Sequence, residues 1–136
     1  MLKHHTQAPW DAKRWPNFTA RELACPCAHC EGEYYHWPEF LDRLQKARTI
    51  AGVPFNINSG HRCAANNIKV GGAPLSQHLK LAVDVDCTRR RFHILAACER
   101  AGFMGLIKYQ NMLHVDMRRY PYRDYSGEIA RKKWQY

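Results

Sequence analysis

Two short stretches constrain this chain more than anything else in it: "LAVDVD" at residues 81–86 and "MLHVDM" at residues 112–117. Both alternate apolar and polar residues with period two, the spacing of a half-buried strand. In the first, Leu81, Val83 and Val85 share one face, and Ala82, Asp84 and Asp86 share the other. In the second, Leu113 and Val115 oppose His114 and Asp116. A fold that buries the two apolar faces on one core gathers carboxylates and an imidazole on the opposite side. His78 lies just upstream, in "SQHLKLAVDVD".

The other segments give helices and strands in mixed order. Thr19 and Glu22 form a capping box in "NFTARELACP", and Pro26 keeps that helix short. "WPEFLDRLQKARTIAG" is the clearest helix, with Pro38 at its first turn and Gly52 at its end. Its Phe40, Leu41, Leu44, Ala47 and Ala51 lie on one face. A short strand is expected at residues 55–58, turning at Ser59-Gly60, followed by a short helix and a glycine-rich loop. Thr88 is placed to cap a helix closed by Gly102. "MGLIKY" and "MLHVDMR" read as two strands joined near Gln110-Asn111. Residues 1–16 read as an irregular arm, and residues 119–136 as a basic, aromatic tail without periodicity. These elements make one α+β domain of 136 residues, with a small antiparallel sheet and helices packed on it.

The net charge of +9 and pI near 9.5 favour an anionic partner: nucleic acid, anionic lipid or a cell wall rich in carboxylates and phosphates. No apolar run approaches the ~20 residues that cross a bilayer. The N-terminal stretch has no apolar core of a secretory signal, so synthesis in the cytoplasm is expected. A nucleic-acid reading rests only on the tail residues Arg118, Arg119, Tyr120, Arg131, Lys132, Lys133 and Trp134. No specific nucleic acid is expected.

Three of the six cysteines stand together in "CPCAHC": Cys25, Cys27 and Cys30, with His29 among them. That spacing suits a metal knuckle, whose fourth ligand would be Cys63 or a histidine such as His36. Reduced thiols packed as small hydrophobes are the competing account.

His78, Asp84 and His114 would meet if the two β-like segments are neighbours. Two imidazoles and a carboxylate make a catalytic zinc set. A surface strand with a satisfied histidine accounts for the same pattern. The ordered motifs "SGHRC", "SQHLKLAVDVD" and "LHVDM" resemble the D-Ala-D-Ala metallopeptidase family, above all its small phage and bacterial peptidoglycan-cleaving members. "NFTARELACPC" resembles their opening segment, so the resemblance spans about residues 17–118.

The resemblance implies a hedgehog/DD-peptidase-like fold and a Zn2+ ion held by His78, Asp84 and His114. The family loop between histidine and aspartate carries a glycine and one more residue. Asp84 keeps the intact Ala-x-Asp motif, and Asp86 is the alternative ligand. Positions that hold a base in some relatives are Asn111 and Met112 here, which leaves Asp116 as general base or as a carboxylate orienting an imidazole. Arg62 is implied to bind a substrate carboxylate or the oxyanion; the alternative is a loop-holding ion pair. Ser76 and Gln77 would shape the loop around His78. His93, inside a helix, is expected to be structural. The implied function is zinc-dependent hydrolysis of the peptide part of peptidoglycan, by a phage endolysin or virion-associated lysin that acts on the wall after release or within the particle. Other phage particle proteins are then possible partners. The alternative is a non-catalytic, zinc-containing structural or wall-binding module of a phage particle.

Overall fold

The structure is a computed structural model that describes residues 2–79, 81–88 and 91–125. Its centre is a five-stranded sheet made of β3 (Ile57–Ser59), β4 (Ala82–Asp86), β5 (Gly105–Lys108), β6 (Met112–Asp116) and β7 (Tyr122–Asp124). The strand order is β3-β4-β6-β5-β7. Pairing is antiparallel except between β5 and β7, which run parallel. The two alternating stretches are thus direct neighbours, and Asp84 stands opposite His114.

One sheet face is apolar. Val83, Val85, Leu106, Leu113 and Val115 are buried in the main core. That core is completed by α2 (Pro38–Ala51) and α4 (Arg91–Ala101). In α2 the expected stripe is buried, and Gly52 ends the helix at φ 67°, a conformation glycine adopts without steric cost. Gln45 joins the buried stripe as its polar member, held by Asn17: its Nε2 donates to Asn17 Oδ1 at 2.6 Å. The capping box of α1 (Ala20–Leu23) is present, with both Thr19 and Glu22 side chains accepting from the other's backbone N–H.

Three local expectations change. Residues 1–16 are not simply irregular: β1 (Leu2–His4) pairs antiparallel with β2 (Glu33–Tyr35), and Trp15 is buried. Strand β3 begins at Ile57 because Phe55 turns into the core beside Phe18. Thr88 donates through N–H and hydroxyl to Asp86 Oδ1, both at 2.9 Å; residues 89 and 90, which join it to α4 and on which its expected capping depends, lie outside the described residues. The tail contributes β7, which covers the outer edge of β5; its mostly exposed "YRD" carries no alternating apolar signal. Tail residues Arg131, Lys132, Lys133 and Trp134 lie outside the described residues. Among the described residues no helix is long and apolar enough to cross a membrane.

Candidate metal centre

The second sheet face holds the polar residues of the two alternating stretches. Register alone places Asp84 beside His114. His78 comes from a short 3-10 turn, Gln77–Leu79, that precedes β4. Three atoms then converge. His78 Nε2 is 3.1 Å from Asp84 Oδ1, and His114 Nδ1 is 3.2 Å from both of them. All three residues are fully or almost fully buried. Asp86, the alternative ligand, faces Thr88 instead.

The far nitrogens decide what the near ones carry. His78 Nδ1 lies 2.7 Å from the Gly60 carbonyl, and His114 Nε2 lies 2.7 Å from Asp116 Oδ2. A carbonyl and a carboxylate only accept, so each far nitrogen holds the ring proton and donates. In neutral rings the near nitrogens therefore present lone pairs. Two lone pairs and a carboxylate oxygen aimed at one point repel unless a cation or proton sits among them.

The spacing fits a cation. Tetrahedral bonds of about 2.0–2.1 Å set neighbouring donors roughly 3.3 Å apart, close to the observed triangle of 3.1, 3.2 and 3.2 Å. Three protein donors are also the number that catalytic sites use. Donor type, number and spacing all fit a divalent metal ion.

The surrounding charges reinforce the pattern. Burial pushes the His78 pKa down, which favours the neutral ring. For His114 burial acts in the same sense, but bonds to Asp116 and Asp84 outweigh it and raise the pKa. Burial would raise the Asp84 pKa, yet the two imidazoles hold it well below the usual carboxylate range. Asp116 is likewise held low against its burial, by Arg118 and His114.

Asp116 is clamped. Arg118 Nε donates to Oδ1 at 2.8 Å and Nη2 to Oδ2 at 2.5 Å, while the Arg118 backbone N–H reaches Oδ1 at 3.0 Å. The guanidinium is itself covered by the ring of Tyr122, 4.6 Å away. The cross-strand neighbours of Asp116 are Ala82 and Gly105, two of the smallest side chains, and they leave room for this buried pair. Sequence reading missed Arg118 and Gly105. Extending the alternation of residues 114 and 116 by one more step would have pointed to Arg118.

Arg62 is buried beside this site. Its Nη2 donates to Ser76 Oγ at 2.8 Å, its backbone N–H donates to the His78 carbonyl at 2.7 Å, and its charge lowers the His78 pKa. Ser76 Oγ also accepts from the His78 backbone N–H at 3.2 Å. Gln77 begins the same turn. Of the remaining histidines, His93 reaches the Ala51 carbonyl, tying α4 to α2, and His36 Nδ1 lies 3.3 Å from the Tyr34 hydroxyl.

The model of the Peptidase M15 family matches residues 16–116. The chain belongs to the Peptidase M15 family. The matched span runs from just before α1 to the end of β6 and takes in His78, Asp84, His114 and Asp116. M15 peptidases are metal-dependent, in keeping with the donor set described above. The protein is accordingly assigned as a metallopeptidase in the general sense. No curated protein matches the chain.

Proposed function

We propose that this M15 peptidase uses zinc, held by His78, Asp84 and His114, to hydrolyse the peptide part of bacterial peptidoglycan as a phage endolysin or virion-associated lysin. The convergence of three acceptor atoms, with both far ring nitrogens already engaged, carries the metal part of this reading. A set of two nitrogens and one oxygen suits zinc, a borderline ion that takes imidazole and carboxylate together. When bound, such an ion polarises a scissile carbonyl and makes water acidic enough to react near neutral pH. The net charge of +9 supports a substrate rich in carboxylates.

The chain's own residues have separable tasks in this reading. Gly60 and Asp116 fix the two rings by accepting a hydrogen bond each, from the N–H of His78 Nδ1 and of His114 Nε2. Arg118 keeps Asp116 ionised and in place. With both oxygens committed, Asp116 acts as a positioning residue and not as the general base. Arg62 holds the turn of His78 through Ser76 and adds positive charge where a substrate carboxylate or an oxyanion would gather.

That commitment of Asp116 favours a second reading as well, a non-catalytic zinc module of a phage particle. One experiment separates the two. Purified sacculi incubated with the protein should release new amino groups, with loss of release after chelation and in His114→Ala. Binding to sacculi without any release would leave the non-catalytic module. Mass spectrometry of the released muropeptides would identify the bond.

A further inference from the structure

A second group of potential ligands lies apart from the His78 centre. Cys25, Cys27, Cys30 and Cys63 bring four Sγ atoms within 4.8 Å of one another. We propose that these four thiolates hold a structural zinc ion, a second metal site that ties the opening segment of the domain to the loop orienting His78.

The geometry separates this reading from its competitors. Cys27 Sγ lies 3.5 Å from Cys25 Sγ, 3.6 Å from Cys30 Sγ and 3.5 Å from Cys63 Sγ. A disulfide would bring one pair to about 2.05 Å. Tetrahedral zinc–sulfur bonds of about 2.3 Å set the sulfurs roughly 3.8 Å apart, near the observed values. Thiols packed as hydrophobes have no reason to turn four sulfurs toward one centre from two segments far apart in sequence. Cys27 and Cys30 are also only half-buried.

The backbone is shaped to the sulfurs. Glu33 N–H points to Cys30 Sγ and Asn66 N–H to Cys63 Sγ, each at 3.4 Å. Such donors stabilise a thiolate, the form that binds metal. The chain leaves Cys30 through Glu31 at φ 56° and Gly32 at φ 115°, a left-handed reversal that brings Glu33 back over the sulfur. Glu31 is a non-glycine residue in that region, a conformation that costs energy and persists only where the surroundings fix it.

Cys63 gives the site its consequence. Residues 60–63 are continuous backbone: Gly60 O accepts from His78 Nδ1, Arg62 N–H donates to the His78 carbonyl, and Cys63 joins the cluster. His61, between them, is paired with Glu33 at 2.7 Å. A cation at the four sulfurs therefore fixes the loop that sets the first imidazole ligand. The tetrathiolate site itself does not depend on what the His78 centre does.

Metal analysis of the full chain and cobalt substitution test this. The expected result is two ions per chain, with intense thiolate-to-cobalt charge-transfer absorption in the near ultraviolet. The double variant His78→Ala/His114→Ala should keep that absorption and one ion. Cys27→Ser/Cys63→Ser should lose it, and its remaining site should bind metal more weakly. Should the cysteine variant fail to fold, the wild-type and double-histidine spectra decide alone. A cobalt form without thiolate absorption overturns the proposal. So does rapid alkylation of Cys25, Cys27, Cys30 and Cys63 that chelation does not change, or an intact mass showing disulfides among them.

Discussion

Asp116 Oδ2 sits 2.7 Å from His114 Nε2, while the other nitrogen of that ring meets Asp84 and His78. The carboxylate is therefore across the imidazole from the donor triangle. Asp116→Asn keeps an acceptor for the ring proton but adds an amide that cannot satisfy Arg118 as a carboxylate does. Metal affinity should fall about 10- to 100-fold, the usual effect of losing such an outer partner. Competition with a chromophoric chelator measures it. Full affinity with lost turnover would instead make Asp116 the proton-transferring group.

The same carboxylate depends on an absent side chain. A Cβ at Gly105 would stand 1.9 Å from Asp116 Oδ1 and 2.6 Å from Arg118 Nε. Gly105→Ala must therefore break the clamp or move β5 against β6. A stability loss of about 1–3 kcal/mol is expected, as for other overpacked sites, together with weakened metal binding. Urea unfolding of the metal-free protein reads the first effect directly, and unchanged stability would mean that the strands give way more easily than their pairing implies.

Arg62 joins two roles that a lysine cannot both fill. A single ammonium lacks the planar fork that reaches Ser76 while presenting charge beside His78. Arg62→Lys should lower kcat/KM by about 10²–10³-fold, the range for a lost oxyanion contact. Its melting temperature should fall only modestly. Normal activity in a strongly destabilised variant would reduce Arg62 to a support of the turn.

Much of the site was legible because strands announce their faces. The alternation in residues 81–86 and 112–117 made Asp84 and His114 co-facial, and pairing of β4 with β6 made them adjacent. His78 was legible as a candidate from its nearness to the first stretch and from its motif, but not from periodicity, since a 3-10 turn leaves no periodic trace. Helix α2 was marked at both ends by Pro38 and Gly52. Strands β1 and β7 were hidden for the opposite reason: three residues each, mostly exposed or half-buried, they form by pairing with an edge and not by burying a face. Of the ligands' partners, Asp116 was legible as a carboxylate that could orient an imidazole, whereas Gly60 was hidden. Gly60 acts through a backbone carbonyl, which any residue type possesses.

Far from the metal, Asp42 offers a pH test of the fold. Arg14 grips it with two bonds, 2.7 Å and 2.6 Å, and Trp15 Nε1 adds a third at 2.9 Å. The Arg14 hydrogen bond, foremost, holds its pKa below the usual carboxylate value. A lowered folded-state pKa gives stability that is present above the unfolded value of about 3.9 and lost as pH falls through the folded one. Asp42→Asn should thus be less stable than wild type at neutral pH, with the gap closing below about pH 4. A gap that stays constant down to acid pH would mean that the charge contributes nothing.

Gly60 is the most informative single position, because it serves the site only through its backbone. A Cβ there would stand 2.5 Å from the Leu23 carbonyl oxygen and 2.9 Å from Leu23 Cα, atoms of a neighbouring main chain that cannot swing aside. Leu23 O also accepts from His61 N–H at 2.9 Å, so the two segments are already in close register. Gly60→Ala must push them apart and carry the Gly60 carbonyl away from His78 Nδ1. The His78 ring then loses the bond that fixes its tautomer and angle. Metal affinity should drop by about 10- to 100-fold, beyond a general stability loss of about 1–3 kcal/mol. Gly71→Ala supplies the control: at φ 72° it is strained, but nothing lies within 4 Å of its added Cβ. It should lose about 1–2 kcal/mol of stability and keep wild-type affinity. Isothermal titration of both metal-free variants with zinc separates the two effects. If Gly60→Ala binds as tightly as Gly71→Ala, the carbonyl is not what orients His78.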